Sequence, residues 1–194
     1  MSSASDEMRS DFMNGIKLAT LGNWLDQDEA WRPWRKFSPE LMGYVPDTAE
    51  SWLEDVHTYS VSAKVPTKIR KLYEVARNAI IYGFFCYSLL TLGVEQLLRV
   101  LEASVRIKAA DLGCKPKPMP NGHSDEVASY GKSIQFLIEK GLISIAEANS
   151  WDAARNLRNY ASHPKMQTIL LPSHALGQLR LTAQRINALY EGSE

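Results

Sequence analysis

The sequence contains little cysteine and no excess of either charge, and both deficits exclude classes of protein. Among its 194 residues only Cys86 and Cys114 carry thiols, and neither has a Cys or His neighbour at the spacing of a metal-binding motif. We therefore expect neither a disulfide framework nor a zinc site. Twenty-two basic residues balance twenty-two acidic residues, which argues against a histone-like tail and against a polybasic membrane anchor.

Long apolar runs and the common catalytic motifs are also missing. The uncharged stretch 79–94 has sixteen residues, fewer than the ~20 that a transmembrane helix needs, so we expect a buried core helix there. The first residues lack the basic region and apolar run of a secretory signal. Together with the scarce cysteines, this predicts a cytoplasmic protein. No P-loop, GxGxxG, GxSxG or HExxH pattern occurs, which excludes the usual nucleotide hydrolases, dinucleotide enzymes, serine hydrolases and zinc proteases.

Helical periodicity dominates the middle of the chain. Apolar residues recur at intervals of three and four within 67–112, a stretch without proline. This pattern predicts one long helix, or two helices with a bend near Gly83 or Gly93. Pro66 marks the expected start and Gly113 the expected C-cap.

A proline-rich run follows this helical stretch. Residues 114–123 contain three prolines and an Asn-Gly pair, so we predict a loop there. The next helix should begin at Ser124 or Asp125 and end at Lys140, with Gly141 as its C-cap.

Two further helices complete the predicted bundle. One should begin at about Ser144 or Asn149 and continue until Pro164 stops it. The last should open around Pro172, with Ser173 as its cap, and carry an apolar face towards its C-terminal end. No persuasive alternating strand pattern is present, so we predict an all-α fold.

Residues 1–60 differ in kind from residues 61–194. They hold four of the five tryptophans and have eleven acidic against five basic residues, a net charge of −6, which leaves +6 for the remainder. We expect 1–60 to be an acidic, Trp-rich extension of short helices and turns, and 61–194 to be a helical bundle. The extension either enlarges the core with its tryptophans, or covers a basic surface on its own bundle or docks a partner.

A short motif near the end of the predicted penultimate helix is the most specific feature of the chain. Residues 157–164 read Leu-Arg-Asn-Tyr-Ala-Ser-His-Pro. Within them, Arg158-Asn159-x3-His163 resembles the Arg-x4–6-His signature of the HEPN family, whose members are all-α bundles and in many cases metal-independent ribonucleases. As in that family, the motif lies late in the chain, has a polar residue after the arginine and follows a long early helix. The resemblance covers about 65–190 and implies a HEPN-like helical bundle.

The resemblance implies a catalytic role for each motif residue. In metal-independent RNA cleavage the ribose 2′-OH attacks the adjacent phosphorus and the 5′-oxygen leaves. His163 then acts as general acid or base, Arg158 holds the phosphate as charge develops, and Asn159 orients the imidazole or the 2′-OH. In the family two protomers commonly face each other, so that two motifs form one cleft.

The residues around His163 also favour proton transfer. Arg158 and His163 lie about 140° apart on an ideal helix and would not converge there. Pro164 pushes the residue before it out of the α region, which redirects the imidazole away from the helix. At a helix C-terminus the negative end of the dipole favours the imidazolium, which is a proton donor near neutral pH.

Four further residues are candidates for supporting roles. Glu95, on the long early helix, positions the arginine or histidine of the motif if the two helices pack together; otherwise it is a surface residue or pairs with Arg99. Tyr160 either contacts a base or packs against a neighbouring helix. Arg155 and Lys165 add cations that suit a phosphate backbone, although short basic groups are usually solvated surface.

The expected function is a metal-independent endoribonuclease of HEPN type, a toxin or phage-defence component without a cofactor. Its expected partners are RNA, with tRNA as one candidate, a second copy of the chain, and an antitoxin or another defence protein; no membrane is expected. Lys165 stands where some HEPN toxins carry a tyrosine that a partner modifies with AMP, so that form of control is not expected. The alternative is a non-catalytic HEPN-like module that binds a nucleotide or a protein, in which Arg158 and His163 hold the bundle or a dimer together.

Overall fold

The structure is built mainly of helices, which confirms the all-α prediction. The computed structural model describes residues 17, 19–116, 127–151 and 170–191. In chain order, the described elements are a 3-10 turn (Glu29–Trp31), strands β1 (Arg35–Ser38) and β2 (Gly43–Pro46), and helices α1 (Ala49–His57), α2 (Thr67–Tyr82), α3 (Leu89–Asp111), α4 (Tyr130–Glu139), α5 (described over 145–151) and α6 (Pro172–Glu191).

Helix α3 is the centre of the bundle. It packs against α2, α4 and α6, and its buried side chains lie along one half of its circumference. The uncharged stretch 79–94 spans the end of α2 and the start of α3, separated by the non-helical residues 83–88, which we call the helix break. The predicted bend near Gly83 is therefore confirmed, whereas Gly93 lies inside α3. None of the described helices is long and apolar enough to cross a membrane.

A close approach between α2 and α3 explains Gly93. A Cβ atom at this position would lie 2.6 Å from Cγ1 of Ile80 and 3.1 Å from the backbone oxygen of Ala76. The second of these atoms belongs to helix backbone, which cannot rotate away as a side chain can. The absence of a side chain at Gly93 therefore lets the two helices meet.

The predicted glycine C-caps are both confirmed. Gly113 has a φ of 90° and Gly141 a φ of 72°, the left-handed region that favours glycine. The amide of Cys114 donates to the carbonyl of Ala109 at 2.8 Å, and the amide after Gly141 donates to the carbonyl of Leu137 at 2.9 Å. These bonds close α3 and α4 in the Schellman manner.

Two predicted helix starts need correction. The helix expected from Ser124 or Asp125 begins instead at Tyr130, because 127–129 are not helical. The carbonyl of buried Ala128 accepts a hydrogen bond from Nε of Arg106 on α3 at 3.0 Å, which fixes the chain before the helix begins.

The second correction concerns α6. This helix includes Pro172 as its first residue, so Ser173 lies inside it and is not its cap. Proline suits the first helical position because its φ is already helical and its missing N–H would have had no partner there.

The N-terminal segment contains a β-hairpin, and the expectation that no strand occurs is wrong for it. Strands β1 and β2 pair antiparallel, with Phe37 opposite Tyr44. The aromatic face of the hairpin points to solvent, and the other face is attached to α1 through Nζ of Lys36 and the carboxylate of Asp55, 2.9 Å apart. Exposure alternates along both strands, but the inner positions of β1 are Lys36 and Ser38, so its sequence lacks the apolar alternation that predicts a strand.

Two tryptophans of the N-terminal segment pack at the helix break and donate hydrogen bonds to carbonyls there. Trp31 and Trp52 are buried and lie edge to face with ring centroids 4.7 Å apart. The indole N–H of Trp31 donates to the carbonyl of Gly83 at 2.6 Å, and that of Trp52 donates to the carbonyl of Ile80 at 3.0 Å. Both belong to the same core as the bundle, which favours the interpretation that the segment enlarges the core.

The buried carboxylate of Asp28 makes a third attachment to the helix break. It accepts hydrogen bonds from the amide of Tyr87 at 2.7 Å and from the amide of Ala30 at 3.0 Å. The amide of Asp28 donates to the carbonyl of Phe84 at 3.0 Å. Asp28 therefore satisfies the backbone on both sides of the connection.

Gly93→Ala should destabilise the protein by about 1–3 kcal/mol, because α2 and α3 must move apart to admit the methyl group. Urea unfolding followed by circular dichroism measures the effect. The matched control is Gly177→Ala in α6, where an added Cβ meets nothing within 4 Å; it should raise stability by about 0.5–1 kcal/mol. Equal stability of the two variants would contradict the close approach.

Trp31→Phe should destabilise the protein by about 1–3 kcal/mol, because the buried carbonyl of Gly83 loses its donor. Trp24→Phe is the matched control, since the Trp24 side chain is 57% exposed and its replacement should change stability by less than about 0.5 kcal/mol. Chemical unfolding of both variants gives the two free energies of unfolding for comparison. A Trp31→Phe variant as stable as Trp24→Phe would show that the indole bond contributes nothing.

Candidate functional site

The structure describes the surroundings of the motif rather than the motif itself. The motif and its expected helpers lie outside the described residues, namely Arg155, Arg158, Asn159, Tyr160, His163 and Lys165. Their predicted roles stay predictions. What the structure supplies is the position of both flanks of segment 152–169 and the position of Glu95.

Helix α5 leads into the motif segment from a well-defined start. The hydroxyl of Ser144 donates to the carboxylate of Glu147 at 2.6 Å, and the amide of Glu147 donates back to the Ser144 hydroxyl at 3.3 Å. The amide of Ser144 completes this capping box with a 3.1 Å bond to the same carboxylate. The hydrogen bonds from Ser144 lower the pKa of Glu147. The earlier of the two predicted starts, Ser144, is therefore confirmed.

Trp151 anchors the far end of the described part of α5. Its side chain is buried, and its carbonyl accepts a hydrogen bond from the hydroxyl of Tyr130 on α4 at 3.2 Å. The guanidinium of Arg185 on α6 lies over the indole ring, 5.4 Å from its centroid. The chain thus enters the motif segment from a fixed point between α4 and α6.

The other flank of the segment is also attached to the bundle. Leu170 packs against the core, and Pro172 is buried at the start of α6. The carbonyl of Leu171 accepts hydrogen bonds from the amides of His174 at 2.9 Å and Ala175 at 3.1 Å. Trp151 and Leu170, which flank the eighteen residues 152–169, are therefore both attached to the helical core.

Glu95 is the one predicted supporting residue that the structure describes. It lies on α3 and is half-buried. Among the described residues, no ion pair joins Glu95 to Arg99. Another acidic residue of α3, Glu102, pairs with Arg106 at 3.7 Å. Pairing with Arg99 is therefore not observed. The role of Glu95 in positioning the motif stays a prediction.

Sequence reasoning did not single out the polar cluster at the C-terminal ends of α3 and α6. Lys108 is buried, and its ammonium lies 5.0 Å from the centroid of the Tyr190 ring. The Tyr190 hydroxyl donates to the carbonyl of Ser104 at 3.0 Å. Burial, with a smaller contribution from Asp111, raises the pKa of Tyr190. The spacing of four residues between Ser104 and Lys108 could have indicated this cluster, because it puts both side chains on the same, buried face of α3.

Comparisons of the chain with protein-family models, with curated proteins and with solved structures give no match. Within 17, 19–116, 127–151 and 170–191, no group of three or more His, Cys, Asp or Glu side chains is arranged to hold a metal ion. Cys86 and Cys114 are both free thiols. The candidate site is thus defined by the motif residues, by Glu95 and by the two anchored flanks.

Proposed function

We propose that this chain is a metal-independent endoribonuclease of the HEPN type, acting as a toxin or phage-defence component. The observation that carries the proposal is the sequence Arg158-Asn159-x3-His163 in an all-α chain. The anchored flanks support it, because a catalytic motif needs a rigid support to hold its side chains in place.

The proposed chemistry is transesterification of RNA. His163 moves the proton of the attacking 2′-OH or of the leaving 5′-oxygen, and Arg158 binds the phosphate through its planar guanidinium. Asn159 orients the imidazole or the 2′-OH. Glu95 positions the motif from α3, Arg155 and Lys165 bind the phosphates on either side, and Tyr160 packs beside a base.

A second protomer completes the proposed site. Facing motifs would provide two copies of Arg158 and His163 in one cleft, so that one histidine accepts a proton while the other donates one. RNA, with tRNA as one candidate, is the substrate, and an antitoxin or another defence protein is a further partner. We place the reaction in the cytoplasm, where RNA is present and where free thiols such as Cys86 and Cys114 persist.

The hairpin favours a second candidate function, a non-catalytic interaction module. Its solvent face and its tip expose large apolar side chains, with Leu41, Met42 and Tyr44 each 72–80% exposed. Exposed apolar patches of this kind mark interaction surfaces in soluble proteins. A protein that uses this face to bind a partner, with the motif serving only to hold the bundle or a dimer, would leave RNA intact.

Purified protein should cleave total RNA or tRNA in excess chelator and leave 2′,3′-cyclic phosphate ends, and His163→Ala should abolish the cleavage. The loss is expected because the variant has no group to move the proton, and general acid-base catalysis contributes about 10²–10⁴-fold. Gel analysis of the RNA and chemical analysis of its ends provide the measurement.

The matched control is His174→Ala, which removes an exposed histidine on α6. Both variants must have the circular dichroism spectrum of the wild type. Intact RNA with the wild-type protein would favour the interaction module, and equal cleavage by His163→Ala would remove this histidine from the mechanism.

Glu95→Gln should leave stability within about 0.5 kcal/mol of the wild type, since no described residue pairs with the carboxylate. If Glu95 positions the motif, the same substitution should lower kcat about tenfold or more with KM nearly unchanged. Glu54→Gln on α1, an exposed residue, is the control for the lost charge. A kcat equal to that of Glu54→Gln would show that Glu95 does not position the motif.

A further inference from the structure

One face of α2 carries an exposed line of side chains that the proposed catalytic motif does not use. We call Lys68, Lys71, Val75, Asn78 and Tyr82 the α2 stripe, and all five are exposed. Their spacing of three, four, three and four residues puts them in one row along the helix. Val75 is 59% and Tyr82 57% exposed, so none of the described parts of the chain covers the row.

The N-terminal end of the α2 stripe is strongly basic. Residues 64–71 include Lys64, Lys68, Arg70 and Lys71 and contain no acidic residue. Neither Lys68 nor Lys71 has an ion-pair partner among the residues that the structure describes. The nearest acidic residue along the helix, Glu74, is paired with Arg77 at 2.5 Å.

This positive charge is placed where it does not help the helix to form. The first turn of α2 contains no acidic residue, and its lysines lie at the positive end of the helix dipole, where a cation destabilises by about 0.3–1 kcal/mol. Arg70 adds to the charge, because Nε donates to the carbonyl of Val65 at 3.0 Å and Nη2 donates to the hydroxyl of Thr67 at 3.1 Å. These bonds hold its guanidinium at the helix start.

The chemistry of the α2 stripe fits a single-stranded nucleic acid. Cations bind phosphates, an exposed tyrosine offers a ring on which a base stacks, and an amide such as Asn78 bonds to base edges. From Lys68 to Tyr82 the row is about 21 Å long at 1.5 Å per residue, enough for several nucleotides. A protein partner would need more apolar anchors than Val75 and Tyr82.

We propose that the α2 stripe binds single-stranded RNA, with Lys68 and Lys71 on phosphates and Tyr82 stacked on a base. The choice of RNA among polyanions rests on the proposed function. The stripe then acts as a further binding surface for the substrate, formed by residues other than those of the motif, and raises the affinity for RNA without taking part in bond cleavage.

The test measures RNA binding in the full-length His163→Ala protein, so that cleavage does not interfere. A fluorescein-labelled single-stranded RNA of mixed sequence is titrated in chelator at several salt concentrations, with anisotropy as the readout. Adding Lys68→Gln and Lys71→Gln should weaken binding about tenfold at low salt. It should also reduce the slope of log Kd against log salt by about 1.4, because each phosphate that a lysine no longer neutralises lowers the slope by about 0.7.

The matched control adds Lys140→Gln and Arg180→Gln, two exposed cations at the end of α4 and on α6, for the same change of net charge. An effect as large in this control would overturn the assignment to α2, because net charge alone would then explain the weaker binding. Tyr82→Ala should weaken binding about tenfold with the salt slope unchanged, since stacking does not release counterions. An unchanged affinity in Tyr82→Ala, or equal binding of polyglutamate, would overturn the assignment to RNA.

Cleavage by the protein with His163 intact is measured separately and distinguishes the two proposals. RNA left intact but bound through Lys68 and Lys71 would contradict the nuclease and support the α2 stripe. Cleavage with a KM unchanged by Lys68→Gln and Lys71→Gln would support the nuclease and overturn the α2 stripe.

Discussion

The arrangement of this protein depends on how the carbonyl groups at the helix break are satisfied. The break ends α2 and frees backbone oxygens that a continuous helix would have paired, and buried oxygens without donors cost stability. Donors from the N-terminal segment bind the carbonyls of Gly83, Phe84 and Phe85. The indole of Trp52 adds a second donor to the carbonyl of Ile80, which also accepts from the amide of Gly83. The tryptophans therefore act as hydrogen-bond donors as well as apolar bulk. The segment and the bundle form a common core because neither is complete without the other.

The described acidic and basic segments lie towards different ends of α2. The acidic segment is bound at the C-terminal end of α2 through Trp31 and Asp28, whereas the cations of 64–71 lie at the opposite end of that helix. At that opposite end Lys68 and Lys71 are exposed. Displacing the described part of the segment would break buried hydrogen bonds and expose two large indoles, so this part is a permanent component of the fold rather than a removable cover.

The sequence predicted the features that depend on neighbouring residues and missed those that depend on distant ones. Gly113 and Gly141 could be predicted as C-caps, because a glycine directly after a helical pattern marks the end of the helix without any information from distant residues. The hairpin was not predicted, because the inner positions of β1 are the polar residues Lys36 and Ser38, and the partner of Lys36 is Asp55, nineteen residues away. The start of α4 was placed too early for the same reason, since Arg106 fixes the preceding backbone from another helix.

The candidate site follows the same rule. The motif was recognised from its local spacing, its place late in the chain and its resemblance to the HEPN signature, and Ser144 was one of the two predicted starts of α5. The anchor at Trp151 could not be predicted from the sequence, because it requires Tyr130 from α4 and Arg185 from α6 to contact the same tryptophan. In the proposed function such an anchor is important, because catalytic side chains must be held within a fraction of an ångström to act together. The packing around Trp151 and Leu170 fixes the two described residues that flank 152–169, and in the proposed function it is the support that the motif requires.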